Sequence, residues 1–380
     1  MNKKIEDLKN DIIDMTEKRK EELEGISSYI HKNPELSYKE YKAQKILCDY
    51  LEKNGFKVTK GIADLSTSFE AVYDTGRSGK EIAFLAEYDA LPGIGHGCGH
   101  NLIGTSSVGA GVILKNIMEE NNVSGVLKVI GTPAEEYGSG KIAMVNKGVF
   151  KELDAALIMH PADASMPDDI SFAAATIEYN FKGTAAHAAA FPWKGSSALN
   201  GVIQLFNNVN ALRLHIKDHS RLHGIITDGG DAHNTIPEKA TALFNIRALN
   251  YDYLLDIIEQ VNNCAKGAAL STNTDVIITQ EGEIIKEVRN NKELVSLVRS
   301  NMENIKEPFI ERDLTQGIGS TDVGNVTHEI SAIQFYIKLK EDIGTHTIEF
   351  EESAGNDDGR RVLNSAIKVL AMSGLDVLLK

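Results

Sequence analysis

Apolar residues recur at helical spacing from the start of the chain. Ile5, Leu8, Ile12 and Met15 form one stripe, which Leu23, Ile26 and Ile30 continue to Asn33-Pro34, so one amphipathic helix is predicted to end before the proline. A second helix is predicted over residues 38–54, with Gly55 placed to cap it and extended structure starting at Phe56-Lys57-Val58. Residues 69–73 and 82–87 read as strands, joined by a turn over 74–80 that holds Gly76 and Gly79. The small, apolar stretch 104–118 predicts a buried helix. A strand (126–130), a helix (139–146) and a strand (155–159) follow, and this alternation predicts an α/β fold with a doubly wound sheet.

The pattern changes near Ala173. ATIEYNFKG reads as a strand, SSALNGVIQLFNNVNALRL as a helix, HGIITDGG and ATALFNIRAL as strands, and 252–266 as a helix, which together outline a small β-α-β-β-α-β insertion of ferredoxin-like α+β type. Two domains are therefore expected, one formed by residues 1–172 and 284–380, the other by 173–283. The returning segment carries a predicted helix at 292–302, a strand at 332–339, and helices from 352 and over 360–372.

Composition narrows the possible functions. With 42% hydrophobic and 25% charged residues the 380-residue chain has an ordinary globular make-up, and its net charge of -14 argues against nucleic acid and anionic membrane surfaces as partners. No apolar run resembles a signal peptide or a membrane span, so a cytoplasmic location is expected. Three cysteines are too few and too scattered for a disulfide framework. Cys48 and Cys264 fall in helical patterns, as small buried hydrophobes do.

Cys98 stands apart, in EYDALPGIGHGCGHNL. Cys98 and His100 flank Gly99, and Gly93, Gly95, Gly97 and Gly99 give the backbone freedom to turn a thiolate and an imidazole toward one point. A glycine turn with an incidental Cys and His is the plainer reading, and the rest of the chain decides against it. Asp89 follows one predicted strand, Glu135 and Glu136 follow VLKVIGTPA, and His160 follows DAALIM, so all lie past the carboxyl ends of strands, where open α/β sheets bind ligands. An adjacent Glu-Glu pair is usually solvated surface. After a buried strand and a Thr-Pro turn, however, one carboxylate can bind metal while the other remains a base. His215, His219 and His223 also recur every four residues, but no carboxylate or cysteine joins them at ligand spacing, and they are rejected as a metal face. His31, His233 and His328 are assigned structural or surface roles.

EYDALPG-IGHGCGHN, then TPAEE and MHP, resembles the metallo-amidohydrolases that include carboxypeptidase G, aminoacylase and the auxin-conjugate hydrolases. The likeness is to the Cys-Gly-His branch, with the p-aminobenzoyl-glutamate hydrolases and certain dipeptidases. It extends through NPELSYKEY, GTAAHAA, HNTIPE, GSTDVGNV and THTIEF over nearly the whole chain. The resemblance implies a zinc-peptidase-like catalytic domain with an inserted lid and dimerisation domain. It implies two divalent ions per subunit at Cys98, His100, Glu136, His160 and His346, with Glu135 as general base and Asp89 orienting a ligand from behind. His187 matches a histidine that serves the partner subunit's active site and stabilises the oxyanion; Asn234 and Arg247 match positions that hold substrate.

Backbone N–H groups around Gly317, Gly319 and Ser320 are candidates to bind a substrate carboxylate, and Ser320-Thr321-Asp322 reads as a turn and helix cap rather than part of a hydrolase triad. Thiolate and imidazole suit zinc, while carboxylate-rich pairs of sites also take manganese, cobalt or nickel. Asn101 stands where many relatives have Asp, as in the dipeptidase and aminobenzoyl-glutamate branch, and Gly97 stands where Ala is more usual, which should loosen the loop. The expected activity is hydrolysis of a dipeptide, an N-acyl amino acid or an aminobenzoyl-amino acid with a free carboxylate, by a homodimer. The alternatives are a non-catalytic binding or assembly subunit that retains the fold, and a thiol hydrolase using Cys98.

Overall fold

The computed structural model describes residues 4–314 and 317–380. The chain divides into two compact units, one made of Met1–Ile170, Val288–Gln316 and Asp322–Lys380, the other of Ser171–Glu287 with Gly317–Thr321.

The first unit opens with the long helix α1 (Ile5–Lys32), which ends before Pro34 as the apolar stripe predicts. Helix α2 (Tyr41–Lys53) is followed by Gly55 at φ 86 and then by β1 (Lys57–Lys60). Next come β2 (Phe69–Asp74), β3 (Glu81–Ala86), the buried helix α3 (His100–Asn121), β4 (Val126–Gly131), the short α4 (Glu135–Gly138), α5 (Gly140–Asn146) and β5 (Ala155–Ala162).

In the second unit β6 (Ala173–Lys182), the two-residue β7 (Ala186–His187), α6 (Ala198–Leu212), β8 (Arg221–Asp228), β9 (Thr235–Ile236), β10 (Lys239–Ala248), α7 (Tyr251–Thr272) and β11 (Asp275–Ile285) follow one another. The chain then returns to the first unit with α8 (Lys292–Asn304), α9 (Val323–Thr327), β12 (Ala332–Lys338), α10 (Ile348–Gly355) and α11 (Asp357–Leu378).

The first unit's sheet has the order β1-β2-β4-β3-β5-β12, with β4, β3, β5 and β12 parallel and the β1-β2-β4 side antiparallel. The 74–80 turn therefore does not close a hairpin, because β4 lies between the two strands it joins. Strand β3, EIAFLA, is buried from its second residue on, as a parallel strand covered on both faces requires. Helix α3 packs beside α1 and α11, and small side chains such as Ser107 and Ala110 let it lie close to the sheet. The doubly wound α/β reading holds, with helices on both faces and an inserted α+β unit.

In the second unit, β11-β6-β10-β8 form an antiparallel sheet whose order matches a ferredoxin-like unit. Its core joins Phe181, Tyr179 and Phe244 of the sheet to Val202, Leu205, Ile257 and Val261 of α6 and α7. The ribbon β7·β9 is an addition to that plan.

Four site residues occupy elements other than those expected. His100 is the first residue of α3 rather than part of a loop, Glu135 and Glu136 start α4, and His160 lies within β5 rather than beyond its end. His215, His219 and His223 share no helix: His219 has φ 62, and His223 lies in β8.

Phe84 in β3 is fully buried, with Val129 and Leu157 beside it in the sheet. Phe84→Ala should lower the unfolding free energy by about 3–5 kcal/mol in urea denaturation, and a loss below about 1 kcal/mol would contradict this packing.

Candidate metal centre

The loop before α3 is held by its own backbone. Leu91 and Gly95 exchange N–H···O bonds of 2.9 and 3.1 Å, and the Gly99 N–H reaches the His96 carbonyl at 2.9 Å. Gly99 has φ 74, and a Cβ there would lie 2.5 Å from Pro161 Cγ, so only glycine lets Cys98 and His100 straddle the end of β5. Gly97 has a different cause. Its φ is not left-handed, but a Cβ would meet Ile94 Cγ2 at 2.7 Å, so the residue answers to tight packing and does not loosen the loop. The Gly97 carbonyl accepts the His346 N–H at 2.8 Å and ties the two segments together.

Asp89 organises the buried side of the centre. Its Oδ1 lies 3.0 Å from His100 Nδ1, and its Oδ2 accepts from Ser37 Oγ (2.8 Å) and from the Glu136 N–H (3.1 Å). With Nδ1 engaged, His100 turns Nε2 toward Glu87 Oε2 (3.5 Å), Glu136 Oε1 (3.8 Å) and Glu135 Oε2 (4.0 Å). His160 is oriented in the same manner: Nδ1 lies 2.7 Å from the Pro161 carbonyl and Nε2 lies 3.5 Å from Cys98 Sγ. His346 is half exposed, sits at φ 64, and places Nε2 3.4 Å from Glu136 Oε2.

Potential ligand atoms gather into three groups, each within 4.8 Å: Cys98, His100 and His160; Cys98, Glu136 and His346; and His100, Glu135 and Glu136. Cys98 belongs to two of them. The five ligand positions expected from the sequence, together with Glu135 and Asp89, thus converge in the first unit.

The backbone of α4 is strained at both ends. Ala134 (φ 61) and Ser139 (φ 52) are non-glycine residues in the left-handed region, at a cost of about 1–3 kcal/mol each. Buried Glu40 holds the first of them in place, its Oε1 accepting the Ala134 N–H at 2.9 Å. This anchor was missed in the sequence, where Glu40 looks like an ordinary helix-start charge.

Burial and neighbouring charge set the proton affinities. Burial alone would push the Asp89 carboxyl up, but the His100 bond, the Glu136 N–H and the Ser37 hydroxyl outweigh it and hold it at about 2. Burial raises Glu135 well above the usual carboxylate range, and the charges of Glu87 and Asp322 add to the rise. Burial lowers His160 to about 4 and pushes the Cys98 thiol up. Burial thus favours the uncharged form of both partners in the Cys98···His160 pair. That is the opposite of the thiolate-imidazolium pair a cysteine hydrolase needs.

These residues fit a pair of divalent cations. His100 Nε2, Glu136 Oε1 and Glu87 Oε2 are buried without a hydrogen-bond partner among the described residues, and a thiol, three imidazoles and carboxylates are the donors that bind first-row dications. A cation held there would favour the thiolate of Cys98 and offset the repulsion among the carboxylates.

Behind the centre lies an arrangement that sequence reasoning missed. Lys141 Nζ lies 2.5 Å from Asp322 Oδ1 and 2.7 Å from Glu87 Oε1, and the Lys141 N–H donates to Asp322 Oδ2 at 2.9 Å; all three side chains are buried. Asp322 precedes α9 as a cap would, but its side chain makes no capping bond and serves Lys141 instead.

The remaining predicted residues lie in the second unit. His187 and Thr235 are paired across β7·β9, and the Asn234 carbonyl accepts the Ala188 N–H at 3.0 Å, so His187 and Asn234 are neighbours. His187 Nδ1 accepts from the Ala189 and Ala190 N–H groups (3.3 and 3.2 Å), which leaves Nε2 to carry the proton of the neutral ring. Arg247, half-buried in β10, donates Nε–H to Asn245 at 2.7 Å. The Gly319 carbonyl accepts the Phe172 N–H at 2.8 Å, and Gly317, Gly319 and Ser320 cluster with this unit rather than with the 284–380 segment.

The family model M20_dimer, a peptidase dimerisation domain, matches residues 171–273. The chain is 34% identical to the Xaa-Arg dipeptidase of Mus musculus, over 99% of this chain and 90% of that protein. It is 37% identical to one component of the p-aminobenzoyl-glutamate hydrolase of Escherichia coli (strain K12), over 70% of this chain and 59% of that one. A crystal structure of a dinuclear metal binding peptidase from the M20 family, from Bacillus subtilis, has the same fold with a TM-score of 0.75 at 18% identity, over 95% of this chain and 99% of that chain. On this likeness, carried over nearly the full length, the chain belongs to the M20 family of peptidases, enzymes that hydrolyse amide bonds.

Proposed function

We propose that the protein hydrolyses the amide bond of a dipeptide, an N-acyl amino acid or an aminobenzoyl-amino acid that carries a free carboxylate, as a cytoplasmic homodimer with two divalent ions per subunit. The carrying observation is the convergence of Cys98, His100, Glu136, His160 and His346, from separate stretches of chain, beside Glu135. Zinc or manganese suits this donor set best, and cobalt or nickel is compatible with it. Such ions polarise an amide carbonyl and lower the pKa of water from ~16 toward ~7.

The chain's own residues do the rest. Glu135 takes the proton of the attacking water as oxygen bonds to the amide carbon. It returns that proton to the nitrogen as the C–N bond breaks, so that a carboxylate and an amine leave. A carboxyl with raised proton affinity is the stronger base once ionised, and the positive charge of bound ions would favour that ionised form. Asp89 fixes His100, and the Pro161 carbonyl fixes His160. His187, with a proton available on Nε2, donates to the developing oxyanion in the second protomer, while Asn234, Arg247 and the backbone around Gly317, Gly319 and Ser320 hold the substrate's carboxylate end. Dimerisation through the second unit is supported by its match to a dimerisation domain and by the edge strand β8, whose Ile225 and Ile226 are 53% and 45% exposed. Among the described residues no helix is long and apolar enough to cross a membrane.

Three tests follow from this reading. Incubating metal-loaded protein with a mixed library of dipeptides, N-acyl amino acids and p-aminobenzoyl-glutamate, read by mass spectrometry, should show loss of particular amides. The loss should stop on chelation and resume on adding metal back; turnover that survives chelation would overturn the proposal. Glu135→Gln should lower kcat by about 10²–10⁴ with metal content unchanged. Asp89→Ala strands the buried His100 Nδ1, at about 1–3 kcal/mol, and removes the acceptor of the part-buried Ser37 hydroxyl and Glu136 N–H at a smaller further cost. Urea denaturation in excess chelator should therefore show a loss above about 2 kcal/mol, and wild-type stability would remove Asp89 from its organising role.

A further inference from the structure

A lysine as buried as Lys141 needs an anionic partner, and Asp322 already is one, meeting both its ammonium and its backbone N–H. Glu87 is a second carboxylate on the same ammonium and leaves the triad with one net negative charge. Its other oxygen, Oε2, has no hydrogen-bond partner among the described residues and faces His100 Nε2 at 3.5 Å. Because Asp89 occupies Nδ1, Nε2 is the nitrogen left to bind a cation, and of the three carboxylates around it Glu87 is the nearest. A structural clamp would gain nothing from placing an unpaired oxygen there.

The route of the chain explains how the oxygen gets there. Glu87 and Asp89 follow β3 two residues apart and both reach the His100 ring (3.5 and 3.0 Å), while Tyr88 between them stacks on Phe69. Lys141 lies in the first turn of α5 and Asp322 just before α9, two helices that pack together. The anchor is thus part of the scaffold, whereas Glu136 and His346 come from strained segments.

We propose that Glu87, anchored by Lys141 and Asp322, is a positioning residue that supplies a fixed negative charge to the ion nearest His100 and so raises the affinity of that position over the other. The proposal rests on the two-ion reading given above. Groups that act on a metal from behind its ligands typically change affinity by about 10–100-fold, and that is the effect expected here.

Glu87→Gln keeps the shape and leaves the Lys141–Asp322 pair neutral. Zinc and manganese affinities, read by competition with a chromophoric chelator, and thermal melting of the metal-free protein would be measured for wild type and variant. The variant should bind one of the two ions about 10–100-fold more weakly and the other as wild type does, with metal-free melting unchanged or raised. Unchanged affinity for both ions, or a lowered metal-free melting temperature with affinities intact, would make Glu87 a structural residue and overturn the proposal. A wild type that binds no ion would overturn the two-ion reading and this proposal together, whereas two tightly bound ions with a silent Glu87→Gln would overturn this proposal alone. If Glu87→Gln does not fold, the double variant Lys141→Met/Asp322→Asn removes the anchor at unchanged net charge. It should weaken the same ion by about 10-fold, and wild-type affinity there would again count against the role of Glu87.

Discussion

Negative charge gathered out of water is the constraint to which the rest of the first unit answers. Glu87, Asp89, Glu135, Glu136 and Asp322 all belong to one neighbourhood around His100 and Lys141. Like charges about 4 Å apart repel by about 4 kcal/mol at the effective dielectric of a protein surface, so such a set stands only where cations or protons compensate it. Lys141 supplies one cation, and Glu135 relieves part of the load by holding its proton more tightly. Divalent ions among the imidazoles and the thiol would remove most of what remains, and the left-handed residues Ala134, Ser139 and His346 lie in the segments that carry these groups.

The neutral groups matter as much as the charged ones. His160 and His96 are both driven by burial toward the uncharged imidazole, His160 to about 4 and His96 to about 3. A neutral ring keeps a lone pair on one nitrogen, which suits a ligand, and adds no positive charge to repel a cation. Burial therefore prepares His160 in the same step that makes the carboxylates costly.

Much of this was legible in the sequence, for reasons that differ along the chain. Long amphipathic helices such as α1 and α11 declare themselves because one face repeats every 3.6 residues. The order of the sheet does not, since nothing in FEAVYD or EIAFLA says that VLKVIG will lie between them. Cys98, His100, Glu135, Glu136 and His160 could be proposed because chemistry-bearing residues after apolar strands are unusual. Lys141 could not, because a lysine in the first turn of a short helix reads as solvated surface, and Asp322 before a helix reads as a cap. The distant His346 rested mostly on resemblance. Its place depends on a left-handed residue and on the Gly97 carbonyl, and neither leaves a local trace.

The parallel pairing of β12 with β5 has a consequence for how the chain is made. About 170 residues separate Ala162 from Ala332, and the inserted unit lies among them. During synthesis at ~5–20 residues per second, β5 waits roughly 10–35 s for the neighbour that covers its edge. Through that interval the strand carrying His160 presents an open row of N–H and C=O groups to any other nascent chain. Folding of the insertion while it emerges draws its two ends together and shortens the loop that must close, which makes the second unit an aid to assembly of the first.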